Sequence, residues 1–69
     1  MNKFQSRLKE VMSEKKFSQQ NLADILHTTQ ATISRWINGI QEPDYNMLFM
    51  LCKLFEVSAD YLLGLTDEY

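Results

Sequence analysis

Apolar residues recur at intervals of three and four along nearly the whole chain, and this spacing predicts helices. The alternation of apolar and polar residues that is typical of half-buried strands is missing, and the sequence has only two glycines and one proline. Sixty-nine residues are enough for one small core. We therefore expect an all-α fold of five helices in a single domain over residues 1–69.

The pattern in residues 18–38 predicts two short helices joined by a tight turn. Ser18 can cap the first helix and Thr29 the second, because a hydroxyl group at this position accepts a hydrogen bond from a free amide of the first turn. His27, Thr28 and Thr29 interrupt the helical period, which restarts at Gln30. Because the connection is so short, the two helices should cross at a steep angle.

The second of these helices has one apolar face and one polar face. Ile33, Trp36 and Ile37 share the apolar face, which predicts contact with the core. The polar face carries no carboxylate, and its residues are Gln30, Ala31, Ser34, Arg35 and Asn38. Arginine can form two hydrogen bonds to guanine and glutamine two to adenine, while alanine can contact the thymine methyl group. Any surface helix turns polar residues outward, so this face alone leaves DNA binding and simple solvation both open.

Further caps divide the rest of the chain into three more helices, and the capping residues are Asn2, Asp44 and Ser58. The first of these helices should run to about Lys15, with Gln5 completing a partial capping box. The second should cover residues 45–55, and the third should end at Gly64. Gly39 is expected to end the helix that follows Thr29.

The net charge of −2 argues at first against a nucleic-acid partner, but the charge is unevenly distributed. Residues 1–41 hold six basic and three acidic side chains, which gives +3, whereas residues 42–69 hold one basic and six acidic side chains, which gives −5. The positive part contains the helix with the polar face. Since the whole chain is acidic, binding would depend on base contacts and on dimerisation more than in a strongly basic protein.

These features together make the chain resemble the Cro/repressor-type, or lambda-repressor-like, helix-turn-helix family of phage and bacterial regulators. The resemblance covers residues 4–64 and lies in the segments LKEVMSEKKFSQQNLADIL, TTQATISRWING and EPDYNMLFMLCKLFEVSADYLLG. It implies a sequence-specific, double-stranded-DNA-binding transcriptional regulator, expected to be a repressor. The helix that starts near Thr29 would read the major groove.

The resemblance also implies roles for eight side chains. The positions that face bases in the family are matched by Gln30, Ala31, Ser34 and Arg35. The positions that contact phosphates are matched by Gln19, Thr29, Thr32 and Asn38. Many relatives have lysine or arginine after the position of Gly39, where this chain has Ile40 and Gln41. One or two phosphate contacts should therefore be missing.

Three further positions depart from the family pattern. Many relatives have an arginine in place of Met12 and a glutamate in place of Ile37, and the two form a buried ion pair. Replacing both members by apolar groups is often neutral, so we predict that Met12 contacts Ile37 directly. His27 replaces the usual glycine, and histidine enters the left-handed region more readily than most residues. We expect a turn residue there, with no catalytic or metal-binding role.

The helix predicted over residues 45–55 has more apolar side chains than one face can bury. The additional stripe consists of Met47, Met50 and Leu54. Phe49 is also expected to be exposed. Either this stripe thickens the core, with Tyr61 and Leu65 of the last helix covering part of it, or it forms a homodimer surface together with that helix. A dimer would place two reading helices on half-sites about 34 Å apart.

Other functions have less support. A protein-interaction module, such as an antitoxin-like or adaptor component with weak DNA affinity, would fit the acidic second part and the missing cations. An enzyme is not expected, because the sequence has one histidine, one cysteine and no glycine-rich phosphate loop. We expect no cofactor, metal or small-molecule ligand.

The remaining features bear on the location of the protein and on its cysteine. No apolar run approaches the roughly 20 residues that span a bilayer, so we expect a cytoplasmic protein with no membrane partner. The lone Cys52 should act as a small core hydrophobe.

Overall fold

The computed structural model describes residues 2–69, and this part of the chain contains five helices and no strand. The helices are α1 (Phe4–Glu14), α2 (Gln19–Leu26), α3 (Gln30–Ile37), α4 (Tyr45–Phe55) and α5 (Ala59–Leu63). α3 packs between α2 and α1, while α5 packs against α1 and α4. The all-α, five-helix fold is confirmed. None of the described helices combines the length and the apolar character needed to cross a membrane.

Side-chain caps begin four of the five helices, as predicted. The capping residues are Ser18, Thr29, Asp44 and Ser58. In each case a side-chain oxygen accepts a hydrogen bond from the backbone amide three residues later, at 2.8 to 3.2 Å. At Ser18 the cap is reciprocal, because the Asn21 side chain accepts from the Ser18 amide at 3.3 Å.

The start of α1 differs from the prediction. Lys3 holds the cap position and its side chain makes no capping hydrogen bond, while Oδ1 of Asn2 accepts from the Phe4 amide at 3.0 Å. Gln5 is not part of a capping box. Its side chain instead lies against Gly39, where a Cβ atom would come within 2.7 Å of Gln5 Oε1. The beginning of α1 is therefore packed beside the turn that ends α3.

Two predicted turn residues adopt the left-handed conformation. His27 ends α2 with φ 56° and ψ 44°, and Gly39 follows α3 with φ 73°. Gly64 ends α5 with φ 88°, and a Cβ atom there would lie only 2.7 Å from Lys3 Cγ. Glycine is required at residue 64 by its conformation and by this close approach.

Fourteen buried apolar side chains form the core of the described residues. They are Phe4, Leu8, Val11, Met12, Leu22, Ala23, Leu26, Ile33, Trp36, Leu51, Phe55, Val57, Tyr61 and Leu62. Ile37 is half-buried and packs against this core, so it borders the same cluster as Met12. Their direct contact stays a prediction. Cys52 is half-buried at the edge of the core, and burial raises the pKa of its thiol.

The exposed face of α4 is smaller than the predicted stripe. Met47 and Leu54 are partly buried and pack against the core, whereas Phe49 is 61% exposed and Met50 36% exposed. Leu65 is 76% exposed, so the expectation that it covers α4 is wrong. The reason is that the chain turns at Gly64, after which Thr66 and Asp67 form hydrogen bonds with Arg7 of α1.

Arg7 holds those residues in place. Its guanidinium donates to the carbonyl oxygens of Tyr61 at 3.0 Å and Thr66 at 3.1 Å, and to the Asp67 carboxylate at 2.7 Å. It also lies over the Tyr61 ring, 4.1 Å from the ring centre. Arg7 is only 7% exposed. It belongs to the positive part of the sequence but is buried and paired, so it does not contribute a free surface charge.

Candidate nucleic-acid interface

α3 presents its polar face to solvent. Ile33 and Trp36 are buried on one side of this helix. On the other side the four predicted base-facing residues lie together. Gln30, Ala31 and Arg35 are exposed, and Ser34 is half-buried. This arrangement follows from the helical period, because the side chains on the side opposite to Ile33 and Trp36 point away from the core.

The hydrogen bonds of Asp67 and Tyr69, at the acidic end of the chain, are made to residues outside α3. Asp67 is bound to Arg7, and the Tyr69 hydroxyl donates to the Glu14 carboxylate. The Tyr69 carbonyl oxygen accepts from the Ser58 amide at 2.7 Å. These contacts hold the last residues against α1 and the start of α5.

Two threonine hydroxyls stand at the positive N-terminal end of α3. Thr29 Oγ1 accepts from the Thr32 amide at 3.2 Å, and the two side-chain oxygens lie 3.0 Å apart in a further hydrogen bond. Thr29 is exposed and Thr32 half-buried. The unpaired amides of a helix N-terminus favour an anion, so hydroxyls here are well placed to meet a phosphate.

Gln19 lies at the N-terminal end of α2, and Asn38 lies directly after the C-terminal end of α3. Gln19 is the first residue of α2, where it is half-buried directly after the Ser18 cap. Asn38 follows α3, and its Nδ2 donates to the Ser34 carbonyl oxygen at 2.9 Å and to Ser34 Oγ at 3.1 Å. A residue predicted to contact phosphate is thus bonded to a residue predicted to face the bases. The four-residue spacing of Ser34 and Asn38 on one helix face is the sequence signal that could have predicted this contact.

The helix pair carries little charge of its own. Asp24 is the single acidic residue of segment 18–38, and Arg35 is its single lysine or arginine. The Asp24 carboxylate accepts from Gln20 Nε2 at 2.8 Å. Ile40, the residue after Gly39, is 75% exposed and apolar. Within residues 2–69 no group of histidine, cysteine or acidic side chains is arranged to hold a metal ion.

Comparison with known proteins agrees with this geometry. A helix-turn-helix family model, HTH_3, matches residues 8–62. The chain is 40% identical over 60 residues to YqaE, an uncharacterized HTH-type transcriptional regulator of Bacillus subtilis, covering 87% of this chain and 52% of YqaE. It is 38% identical over 60 residues to YonR, an uncharacterized regulator derived from the SPbeta prophage of the same organism, covering 87% of this chain and 56% of YonR.

A solved structure has the same fold. The crystal structure of a transcriptional regulator from Listeria innocua superposes with a TM-score of 0.89 at 25% identity, covering 100% of this chain and 64% of that chain. The chain spans about half the length of the curated relatives named above. Their family is a class of DNA-binding regulators and not of enzymes. By its sequence match and its fold, this chain belongs to the Cro/repressor-type helix-turn-helix family of phage and bacterial transcriptional regulators.

Proposed function

We propose that this chain binds double-stranded DNA with sequence specificity and represses transcription, with α3 lying in the major groove. The observation that carries the proposal is the solvent-exposed face of α3, which combines amide, hydroxyl and guanidinium groups without a carboxylate. Membership of a family of transcriptional regulators supports it. Repression needs no more than occupancy of a promoter, which a domain of this size can provide.

The proposed base contacts follow from the chemistry of each side chain. Arg35 would bind a guanine through two hydrogen bonds, Gln30 an adenine, and Ala31 would contact a thymine methyl group. Ser34 has a short hydroxyl suited to either a base donor or a base acceptor. Each good two-bond pair contributes about 1–3 kcal/mol of discrimination between bases.

The proposed phosphate contacts surround these base contacts. Thr29 and Thr32 would donate from the N-terminus of α3, and Gln19 would act in the same way at the N-terminus of α2, where the helix dipole favours an anion. Asn38 would lie near the DNA backbone, directly after the C-terminal end of α3. These contacts fix the register of α3 on the duplex and carry no sequence information themselves.

We also propose that residues 1–69 form one domain and that two copies act as a dimer in the cytoplasm. One reading helix contacts too few base pairs for specificity, whereas two helices related by a twofold axis address half-sites one helical turn apart. On α4, Tyr45 is 91% exposed, Phe49 61% and Met50 36%, whereas Met47 and Leu54 are partly buried against the core. Covering these side chains in a dimer would remove apolar surface from water.

Selection of bound sites from a random duplex pool tests the main proposal. The expected result is enrichment of an inverted repeat whose half-site centres lie about 10 base pairs apart. A reporter gene placed behind the selected site should then be expressed less when the chain is present. Failure to enrich any duplex would overturn the proposal, and higher reporter expression would overturn the assignment as a repressor.

A protein-interaction module is the second candidate. The exposed aromatic side chains of Tyr45 and Phe49 favour it, because they could bind a protein partner as well as a second copy. This function predicts a complex with another protein that is insensitive to salt, and no binding to duplex DNA. The enrichment experiment separates the two candidates.

A further inference from the structure

The α2–α3 unit lacks the cations that DNA backbone contacts normally use. Arg35 is the single lysine or arginine in segment 18–38, and it belongs to the proposed base-facing set. The loop after α3 continues with Ile40, Gln41 and Glu42, none of which is basic. Affinity for DNA depends largely on neutralising phosphates with lysine or arginine. A duplex held by α3 would therefore need positive charge from another element.

The beginning of α1 supplies such charge beside the end of α3. A shallow hollow on the surface is lined by Asn2, Lys3, Gln5, Ser6 and Lys9, all of them exposed. The lining has two ammonium groups, two amides and a hydroxyl, and no carboxylate. Gln5 connects this hollow to the reading helix, because its Oε1 would lie 2.7 Å from a Cβ atom at Gly39.

Acidic groups near the hollow do not line it. Glu42 accepts a hydrogen bond from Asn2 Nδ2 at 3.2 Å and keeps its negative charge in the neighbouring cavity, which also borders Gln5 and Gly39. Arg7, the remaining cation of α1's first half, is buried and bound to Asp67. Among the described residues that line the hollow, Lys3 and Lys9 therefore carry the positive charge.

We propose that Lys3 and Lys9 bind the phosphate backbone of the duplex whose bases α3 contacts, in place of cations missing after Gly39. This rests on the proposed function. The major groove of B-DNA is about 12 Å wide, so phosphates flank a helix that lies in it. Lysine suits this role, since its ammonium is a compact point charge on a long flexible stem.

Salt dependence of binding tests the proposal. The affinity of the full chain for its selected duplex is measured between 50 and 200 mM salt, for the unchanged chain and for Lys3→Gln, Lys9→Gln and the double variant. Each lost phosphate contact should lower the slope of log affinity against log salt by about 0.9, which makes the fall in affinity over this range about 3.5-fold smaller. The enriched base sequence should not change.

Lys53→Gln is the matched control, because it removes one positive charge from α4, in the acidic part of the chain. It should leave the slope unchanged. Glutamine keeps the Cβ and Cγ atoms that Lys3 packs against Gly64, and unchanged unfolding midpoints from Trp36 fluorescence would show that each variant is folded.

The outcomes separate the two proposals. Steep salt dependence in the unchanged chain, with the same slope in the Lys3 and Lys9 variants, would overturn the backbone contact and leave the proposed function standing. An equal change of slope in Lys53→Gln would also overturn the contact, since it would indicate a general effect of net charge. If the unchanged chain binds no duplex, both proposals are wrong.

Discussion

Asn38 and Ser34 are joined by the side-chain amide of Asn38, whose Nδ2 lies 3.1 Å from Ser34 Oγ and 2.9 Å from the Ser34 carbonyl oxygen. Because Ser34 Oγ accepts this bond, its own hydrogen is left to point elsewhere. Asn38 thus leaves the Ser34 hydroxyl to act as a donor to another group. The end of α3 and the middle of its proposed reading face form one hydrogen-bonded unit.

Replacing Asn38 with alanine should weaken binding to the selected duplex by about 1 kcal/mol, roughly fivefold, because the Ser34 hydroxyl loses its fixed orientation. The measurement is a double-mutant cycle of Asn38→Ala and Ser34→Ala, read as affinity for that duplex. The double variant should lose less than the sum of the two single losses. Strictly additive losses would contradict a coupled role.

Replacing Arg35 with alanine should reduce affinity for the selected duplex by about 1–3 kcal/mol and relax the preference at one base pair. Competition with random duplex measures the difference, because a base contact acts only on the selected site. Arg35→Lys serves as the control, since it keeps the charge but loses the two-bond fork. If lysine restores full affinity, or if random duplex loses as much, then Arg35 contacts phosphate and not guanine.

Local signals account for the parts of this fold that the sequence predicted well. The caps at Ser18, Thr29, Asp44 and Ser58 depend on hydrogen bonds that span three residues, and the helical period of α3 is enough to bury Trp36. The amphipathic pattern therefore predicted which side of α3 is exposed. The base and phosphate roles assigned to that side remain predictions.

Contacts between distant residues could not be predicted in the same way. Arg7 meets Tyr61, Thr66 and Asp67 across 54 to 60 residues, and in the sequence it counted only as one of the six basic side chains of residues 1–41. Gln5 has the right type and spacing for a capping box, but its packing against Gly39 depends on how α1 and α3 are arranged. The contacts of the Arg7 and Gln5 side chains are therefore decided by how the helices pack and not by the local sequence pattern.

Replacing Arg7 with methionine should lower the free energy of unfolding by about 2–4 kcal/mol, because two carbonyl oxygens lose a buried donor. Asp67→Asn should cost about 1 kcal/mol or less, since the Asp67 side chain is 91% exposed and its charge is screened. Urea unfolding followed by Trp36 fluorescence measures both values. Similar losses in the two variants would show that the ion pair, and not the buried guanidinium, is the main contribution.

The predicted contact between Met12 and Ile37 can be tested by restoring the charge pair of the family. Met12→Arg and Ile37→Glu should each destabilise the fold by about 3–5 kcal/mol, because each leaves a charge in the core or at its edge without a partner. The double variant should recover most of this loss. Urea unfolding measures all three variants, and additive losses would mean that the two side chains do not touch.

The Tyr69 contact predicts a change at alkaline pH. The hydrogen bond that the Tyr69 hydroxyl donates to the Glu14 carboxylate raises the pKa of Tyr69 to about 12, from a usual value of 10.0. Because the pKa is higher in the folded chain, the stabilisation by this contact is complete below about pH 10 and is lost as the pH rises through 12.

Glu14→Gln should bring the pKa of Tyr69 back toward its usual value, since the amide still accepts a hydrogen bond but carries no charge. Absorbance of tyrosinate against pH measures the shift, with Tyr69→Phe as the control that removes this group from the titration. A Tyr69 midpoint that is the same with and without the Glu14 charge would contradict the contact.

Thr29 and Thr32 share one hydrogen bond between their hydroxyl oxygens, and either of them can be the donor. Two hydroxyl hydrogens are present and the shared bond uses one, so the pair always has a second hydrogen to offer outward. Reversing the shared bond would change which threonine has a hydroxyl hydrogen outside that bond, while the bond between the two side chains is kept. The start of α3 could therefore follow small shifts of an anion along its surface while the helix stays intact.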